Sequence, residues 1–443
     1  MQILIQVGQL ILALSILVFI HELGHFLAAR MFGIKVEKFF VFFDFGGKKL
    51  FSFTRGDTEY GLGWFPLGGY VKIAGMIDES MDKEQLKAEP EEWEFRSKPN
   101  WQKFIVMVAG IVMNLILGVC LYAFFLGNYQ QGYISSSEFN KDGVFAYELA
   151  REYGFQQGDQ LVAVNGKSYD RFDDYVANFR IFFGGSMTVL RNGSEVEIEI
   201  PKSYFAKVKV GEGQLIELRS DVYIDSIPEN AQSGASQAGA KAGDQIVSIS
   251  GDEVFSFGDL QESLIAHKGD TVELGIMRSG NLLTLNPRID TNGKLGFIPT
   301  IESPYSDSTF YTVGTSLKYG ATDAWGWLWF NAQAIGKMFT SKDVKATESL
   351  ASPIAIAQIY GPTWEWAHFW WLTAILSMIL AFMNALPIPA LDGGHMMFII
   401  IESVTRRKLS ESFMEKAQIF GMVIIMMLMV FAFGNDIFKL ITG

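Results

Sequence analysis

Two histidines four residues apart give the most specific chemical signal in this sequence. His21 and His25 flank Glu22, Leu23 and Gly24 in an H-E-x-x-H pattern. On a helix, positions i and i+4 lie on one face, so both imidazole rings can bind the same metal ion. A glutamate at the second position can act as general base on water, as in zinc hydrolases. The spacing predicts a Zn²⁺ site with two histidine ligands and Glu22 as the catalytic residue.

The setting of the motif argues against a chance match. Residues 2–20 contain no charged side chain, and this apolar stretch runs directly into His21. A charged side chain at bilayer depth costs about 2.5–3.5 kcal/mol, so Glu22 is not expected there without a purpose. The stretch also lacks a basic n-region, so we expect an uncleaved membrane span rather than a signal peptide.

A third metal ligand is expected from a late apolar stretch that ends at Asp392. Two histidines and one carboxylate complete the three protein ligands of an open catalytic zinc site. His395 lies three residues further on and can face the same ion, but a third histidine would leave Asp392 without a cation. Glu402 is a further downstream carboxylate, beyond the span. We expect Asp392 to be the ligand, with His395 beside the site.

Composition places the chain between membrane and soluble proteins. Hydrophobic residues make up 49% of its 443 residues and charged residues 19%. The net charge of −12, without a basic stripe, argues against a nucleic-acid partner. Cys120 is the single cysteine, which excludes an internal disulfide.

Four stretches are long and apolar enough to cross a bilayer, which requires about 20 residues. They are residues 2–20, 104–126, 367–391 and 417–434. Lysines and arginines follow the first, precede the second and lie between the third and fourth, so those segments are predicted to be cytoplasmic. The first and third spans then run in the same direction, which brings His21 and Asp392 to the same membrane face. A further segment, 321–340, is interrupted by charges, and we predict that it lies with 347–360 on the outer face.

Residues 49–73 alternate apolar and polar side chains around a break at Arg55-Gly56-Asp57, which predicts a β-hairpin. Gly68 and Gly69 follow, before Tyr70, where a second backbone can approach closely. On pattern alone, a small cytoplasmic sheet that packs on itself explains this stretch equally well.

The region between the second and third spans contains an internal repeat. Gly154, Gly158-Asp159-Gln160 and Gly166 recur 85 residues later as Gly239, Gly243-Asp244-Gln245 and Gly251. R-x-G follows in both copies, as expected of a hairpin. The pattern resembles PDZ domains, which commonly bind peptides by adding a strand to a sheet edge. Modules that only cover the membrane portion would fit the pattern as well.

Taken together, the two metal motifs and the repeat resemble the site-2 protease family of intramembrane zinc metalloproteases, over essentially the full length. The resemblance implies zinc bound by His21, His25 and Asp392. It implies cleavage of single-span membrane proteins, such as an anti-sigma factor after a first cut, and of remnant signal peptides. It also implies a bacterial inner-membrane location, with periplasmic PDZ-like domains and an active site near the cytoplasmic side.

The resemblance also assigns substrate-binding residues. Asn384, Pro387 and Pro389 match the family's N-x-x-P-x-P element, in which the asparagine holds unwound substrate. The stretch Leu67-Gly68-Gly69-Tyr70 matches a membrane-associated β segment that pairs with extended substrate. Relatives often have Gly-Pro in the second span, whereas here Ile111 follows Gly110, and Asn114 is retained. Asn114 can touch substrate or form a helix–helix hydrogen bond.

The predicted fold class is a multi-pass α-helical membrane protein with four transmembrane helices and a membrane-associated β-hairpin, plus two extramembrane α+β PDZ-like domains. The predicted divisions are 1–127, 128–213, 214–302, 303–366 and 367–443. The expected partners are single-span substrates, the lipid bilayer and peptide ligands of the PDZ-like domains. The alternative function is a membrane-anchored PDZ adaptor with a vestigial or structural metal site, for which an intact Glu22 would have no use.

Overall fold

The chain folds into two compact units. The computed structural model describes residues 2–66, 68–76, 89–130, 132–204, 215–228, 233–305, 308–340 and 353–442. The membrane unit comprises residues 1–131 and 311–443, and the insert unit comprises residues 132–310.

The helices and strands are numbered in chain order. The helices are α1 (Gln2–Met31), α2 (Asn100–Asn128), α3 (Ser136–Phe139), α4 (Glu148–Glu152), α5 (Phe172–Val176), α6 (Asn178–Ile181), α7 (Gly234–Gln237), α8 (Phe257–Ala266), α9 (Val313–Thr340), α10 (Pro353–Ile359), α11 (Trp366–Ala385), α12 (Asp392–Thr405) and α13 (Glu411–Thr442). The strands are β1 (Val36–Val41), β2 (Lys49–Arg55), β3 (Thr58–Gly63), β4 (Tyr70–Ile73), β5 (Gly132–Ile134), β6 (Val144–Ala146), β7 (Gln160–Val164), β8 (Gly185–Arg191), β9 (Ser194–Ile200), β10 (Ile216–Leu218), β11 (Asp221–Ser226), β12 (Gln245–Ile249), β13 (Asp252–Glu253), β14 (Leu274–Arg278), β15 (Asn281–Leu285), β16 (Ile298–Glu302) and β17 (Ser308–Phe310).

Four helices of the described ranges are long and apolar enough to span a membrane, as predicted. They are α1, α2, α11 and the part of α13 from Ser412 to Ala432. The third span ends at Ala385 instead of the predicted residue 391. The prolines at 387 and 389 cause this difference, because proline has no N–H to donate and forces the preceding residue into an extended conformation. Asp392 therefore begins a new helix, α12, rather than ending the third span.

Helix α9 contains the segment 321–340, which was predicted to lie on the outer face. Ser316 lies beside Gly127 of α2, and one turn later Gly320 lies beside the backbone of Ala123. A step towards the C-terminus of α9, from Ser316 to Gly320, corresponds to a step towards the N-terminus of α2, from Gly127 to Ala123. The two helices therefore pack antiparallel along their lengths. Helix α9 therefore lies along a candidate spanning helix, with Ala324 in the same buried cluster as Leu121 and Tyr122 of α2.

Of the other segment predicted on the outer face, 347–360, the residues up to 352 lie outside the described ranges. The remainder forms α10, which packs on α1 through Ala357 and Tyr360, next to Ala13 and Phe369. This packing places α10 against the spanning helices.

A four-stranded sheet lies between α1 and α2, in the order β2-β3-β1-β4. Strands β2 and β3 form the predicted antiparallel hairpin around Gly56 and Asp57. Strand β1 pairs parallel with β3 and antiparallel with β4, which extends the hairpin into a larger sheet than the alternation predicted. In the described part of the chain, β4 has a strand partner on one side only.

The insert unit contains two modules, each with its own hydrophobic core. The first module, up to Leu218, contains the sheet β7-β8-β9 and the pair β6-β10. The second module, from Asp221 to Glu302, contains the sheet β15-β14-β12-β11-β16 and helix α8. Because β10 pairs with β6 and Ile216 is buried in the first core, we shift the predicted division from 213/214 to the residues after Leu218.

The repeated residues form the same buried ion pair in both modules. In the second, Arg278 donates from Nε and Nη2 to Asp244 at 2.6 Å and also to the carbonyl of Gly239 at 2.9 Å. In the first, Arg191 donates to Asp159 at 2.8 and 2.7 Å. Both carboxylates are 1% exposed. The repeat therefore encodes a bidentate clamp between the G-D turn and the hairpin arginine.

The clamp predicts the acid response of the second module. Burial would raise the pKa of Asp244, but hydrogen bonds from Arg278 and the Lys241 backbone lower it below the ordinary 3.8. A carboxyl with a lowered folded pKa stabilises the fold above its unfolded pKa, and this contribution is lost as pH falls through the folded pKa. Hydrogen exchange of β12 in the full chain should therefore accelerate as pH falls below about 3.8, after correction for the intrinsic rate.

Arg278→Met should weaken this acid response. The substitution leaves the buried Asp244 carboxylate without its bidentate partner, so β12 should exchange faster than wild type near neutral pH. The lowering of the Asp244 pKa by the Arg278 hydrogen bonds is then lost, so the acceleration of exchange below about pH 3.8 should be smaller than in wild type. Lys294→Met, at an exposed position, serves as the control. Wild-type exchange rates in Arg278→Met would contradict the stabilising role of the clamp.

Candidate metal centre

Three side chains bring a nitrogen or oxygen atom to one point. His21 Nε2 and His25 Nε2 lie 3.1 and 3.2 Å from Asp392 Oδ2, and the two nitrogens lie 3.2 Å apart. Zinc bonds to nitrogen and oxygen are about 2.0–2.1 Å long, which separates two ligands of a tetrahedral ion by about 3.3 Å. The observed triangle has the size of one face of such a tetrahedron.

Two helices position these atoms. His21 and His25 lie one turn apart on α1, near its cytoplasmic end by the predicted orientation. Asp392 is the first residue of α12, reached from α11 through the segment that contains Pro387 and Pro389. The break after α11 thus turns the chain so that a helix begins at the carboxylate.

The donor set fits a divalent cation. Both histidines are buried, at 8% and 5% exposure, and Asp392 Oδ2 has no hydrogen-bond donor among the described residues. A buried carboxylate without a donor or cation is strongly unfavourable. Two imidazole lone pairs directed at the same oxygen would add repulsion, whereas a cation at their centre would attract all three atoms. Neutral imidazole and carboxylate are ordinary zinc ligands.

The second ring nitrogen of each histidine contacts α2. His25 Nδ1 lies 2.8 Å from the Val106 carbonyl, to which it can only donate. This bond leaves Nε2 without a proton and available to a metal. His21 Nδ1 lies 3.2 Å from the amide group of Asn114, two turns further along α2.

Gly110 lies midway between these contacts, and the sequence analysis assigned it no role in the metal site. A methyl group there would collide with His25 Nε2 and lie 2.8 Å from His21 Cε1. On the other helix, a side chain at Gly24 would meet the backbone of Ala109. Two glycines therefore let α1 and α2 approach closely enough to hold both rings between them. The sequence signal for a close helix–helix contact at Gly110 was the glycine itself, because glycine inside a helix costs about 1 kcal/mol relative to alanine.

Glu22 lies next to His21 and faces the sheet. It is half-buried, and its carboxylate is within hydrogen-bonding reach of the Val71 backbone in β4. The predicted general base and the edge strand of the sheet therefore meet beside the three candidate ligands.

Comparison with known proteins agrees with this geometry. The sequence profile described as "Peptidase family M50" matches residues 9–428. The chain belongs to this family. The "Regulator of sigma-E protease RseP" of Escherichia coli (strain K12) is 30% identical over 455 residues, which cover 97% of this chain and 98% of that protein. A Vibrio cholerae serotype O1 protein named "Putative zinc metalloprotease" is 28% identical over 476 residues, with 97% and 98% covered.

Membership in family M50 confirms the resemblance to site-2 proteases. The chain is a metalloprotease, and its four apolar helices make it an integral membrane protein.

The predicted substrate-binding residues of this M50 peptidase lie on two sides of the centre. Asn384, at the end of α11, brings Nδ2 to 3.3 Å from His21 Nε2. Pro387 and Pro389 lie in the segment between α11 and α12, and the carbonyl of Pro389 faces Gly421 of α13. Asn384 therefore borders the metal ligands from the α11 side, and the two prolines follow it in the connection to α12.

Gly68, Gly69 and Tyr70 lie on the sheet side, whereas Leu67 lies outside the described residues. Methyl groups at Gly68 and Gly69 would lie 2.6 Å from the Phe43 ring and from the Phe40 carbonyl, respectively. The one at Gly69 would also lie 2.7 Å from Val18, one turn before Glu22. The glycine pair therefore lets this loop pack against α1 and the neighbouring strand.

Tyr70 is engaged within the sheet. Its hydroxyl donates to Asp44 at 2.8 Å, and its ring stacks on Phe40 and Phe43. Burial would raise the pKa of Asp44, but the hydrogen bonds from Tyr70 and Lys38 lower it, which keeps the acceptor ionised. Tyr70 therefore anchors β4 through its side chain, and the strand backbone is left to face the centre.

His395 and Glu402 do not join the metal group in the described residues. His395 lines a separate cavity of about 100 Å³ with Lys103, Glu402 and Gln418. Glu402 accepts a hydrogen bond from the Leu409 amide at 2.9 Å. Asp392 therefore lies with the two histidines, whereas these two candidates do not.

Gly110→Ala should weaken metal binding, because the added methyl group displaces the metal-facing nitrogen of His25. We expect zinc affinity to fall by at least about tenfold, the lower end of the range for disturbed ligand support. The measurement is zinc retained by purified protein against a graded series of chelator concentrations.

Gly118→Ala is the matched control on the same helix. Its methyl group would meet the side chain of Met378, which is flexible and can move aside. Equal zinc retention in Gly110→Ala and Gly118→Ala would contradict the assigned role of Gly110.

Proposed function

We propose that this chain is an intramembrane zinc endopeptidase that cleaves single-span membrane proteins. The observation that carries the proposal is the convergence of His21, His25 and Asp392 beside Glu22, on helices that span or adjoin the membrane. The metal group contains three protein ligands within the described residues. Three protein ligands are typical of a catalytic zinc site, whereas structural sites are closed by four, which disfavours the adaptor with a structural metal.

In this proposal Glu22 moves the proton and the histidines and aspartate hold the metal. Zinc bound there would supply Lewis-acid chemistry, polarising the scissile carbonyl and acidifying a water. Glu22 takes the proton from the attacking water and passes it to the leaving nitrogen as the C–N bond breaks. The helices around the site limit access of bulk water, which strengthens each of these interactions.

Asn384 is proposed to hold the substrate backbone. Asn384 Nδ2 lies 3.3 Å from His21 Nε2. A metal ion bound to that nitrogen would remove it as a hydrogen-bond partner of the Asn384 amide. Its N–H can then donate to a carbonyl of a substrate segment next to the metal. Pro387 and Pro389 support this role by keeping the chain after α11 extended.

A helical substrate must unwind before cleavage, because its carbonyls are engaged in hydrogen bonds to i+4 amides. We propose that the unwound segment binds at the outer edge of β4. This edge has no strand partner in the described ranges, and the Val71 backbone on β4 lies within reach of Glu22. Addition of a strand to this edge would replace the lost helix hydrogen bonds and lead the peptide past the general base.

Glu22→Gln should remove cleavage while retaining the metal. Loss of a general base typically costs about 10²–10⁴-fold in rate, and glutamine cannot accept the proton. The measurement is cleavage of a single-span reporter protein in liposomes, together with zinc content. Glu402→Gln, at the carboxylate outside the metal group, should cleave like wild type. Full turnover by Glu22→Gln would remove Glu22 from the mechanism.

Gly69→Ala should slow cleavage without loss of zinc. The added methyl group forces β4 away from Val18 and Phe40, and therefore moves the strand edge relative to Glu22. A displacement of about 1 Å in substrate position can cost about 10²-fold in rate. Thr54→Ala, at an exposed position of β2, is the control for a change in the same sheet. Unchanged kcat/KM in Gly69→Ala would argue against strand addition at β4.

The proposal also covers the substrate class and the orientation of the protein in the membrane. We propose an anti-sigma factor, cut first by another protease, as one substrate, and the E. coli relative's name, "Regulator of sigma-E protease RseP", supports a role in sigma-factor regulation. Remnant signal peptides are a second single-span class. The flanking lysines and arginines support an inner-membrane protein with the insert unit in the periplasm and the metal centre near the cytoplasmic face.

We further propose that the two modules of the insert unit are PDZ-like domains. In the second module, β16 is an edge strand in the described ranges, and Ile298 and Ile301 on it are about half exposed, at 52% and 49%. Such an edge suits a peptide that adds as a further strand.

A further inference from the structure

Asn114 is a fully buried polar residue at the centre of the membrane unit. Its Nδ2 lies 3.2 Å from His21 Nδ1, and its exposure is 0%. Its Oδ1 is buried and has no partner among the described residues. A carboxamide in this position must satisfy its polar atoms locally, because no water reaches it.

The chemistry of the imidazole decides which amide atom belongs next to the ring. A neutral histidine that offers Nε2 to a metal carries its proton on Nδ1. That Nδ1–H is a donor, and an –NH₂ group cannot accept it. Rotation of the Asn114 amide by half a turn exchanges Nδ2 and Oδ1 and places the oxygen, which otherwise lacks a donor, against Nδ1–H.

The backbone of Asn114 already forms the helix–helix contact at this level. Ser377 Oγ on α11 donates to the Asn114 carbonyl oxygen at 2.7 Å. The side chain is therefore not needed to join α2 to α11, and its complete burial separates it from substrate. His21 is the described partner of this side chain.

We propose that Asn114 is a positioning residue, whose side-chain oxygen accepts the Nδ1 proton of His21 and thereby fixes its ring and tautomer for metal binding. This inference rests on the metal site of the proposed function. Asn114 does for His21 what the Val106 carbonyl does for His25, so α2 orients both imidazoles from one face. This role differs from the substrate contact considered from the sequence, and it gives the helix–helix hydrogen bond considered there a specific partner, the metal-binding His21 of α1.

Zinc affinity of the full-length protein tests this role independently of proteolysis. Four proteins are purified in detergent, stripped of metal and titrated with zinc against a chelating indicator: wild type, Asn114→Leu, Asn114→Asp and Ser377→Ala. Asn114→Leu keeps the number and branching of the side-chain heavy atoms and removes the acceptor, so its affinity should fall by about 10–100-fold. Asn114→Asp keeps an acceptor oxygen and should bind zinc close to wild type. Ser377→Ala removes the neighbouring helix contact and should leave affinity unchanged.

Two results would overturn the inference: wild-type affinity in Asn114→Leu, or an equal loss in folded Asn114→Asp. If Asn114→Leu does not fold, as judged by thermal unfolding, Asn114→Ala replaces it and Asn114→Asp still decides. The absorption spectrum of bound Co²⁺ adds a readout of ligand geometry, which should change in Asn114→Leu and not in Ser377→Ala. Failure of wild type itself to bind zinc would instead count against the proposed function.

Discussion

A carboxylate oxygen held between two imidazole nitrogens inside an apolar helix bundle is the constraint on which this structure depends. Desolvation makes such an arrangement unfavourable unless a cation lies at its centre. Burial of Asp392 and the two histidines is therefore unfavourable without a metal ion and becomes favourable when all three bind one. The break after α11 and the start of α12 at Asp392 make sense as the means of presenting that oxygen to α1.

The second constraint is the close packing of α1 against α2. Val106, Gly110 and Asn114 are spaced four residues apart and lie on one face of α2, opposite His25 and His21. The outer two provide hydrogen-bond partners, and the central glycine provides space. Ligand orientation and helix packing are thus achieved by the same three positions, which links metal binding to the assembly of the bundle.

The sequence was sufficient for features that depend on residue type and local spacing. His21, His25 and Asp392 could be chosen because few other reasons place such side chains in apolar stretches, and the β2–β3 hairpin followed from its alternation. Features that depend on which elements pack together could not be predicted. Gly110 acquires its role only from the partner helix, and the packing of α9 on α2 did not follow from the sequence of α9. The division after Leu218 required knowing that β10 pairs with β6.

X-ray absorption at the zinc edge, on purified wild-type protein and Asp392→Ala, tests the central claim most directly. The account predicts about one zinc per chain in wild type, with nitrogen and oxygen ligands at about 2.0–2.1 Å and no sulfur. It predicts loss of that zinc in Asp392→Ala. Absence of zinc from the folded wild type, or an unchanged zinc spectrum in Asp392→Ala, would contradict it.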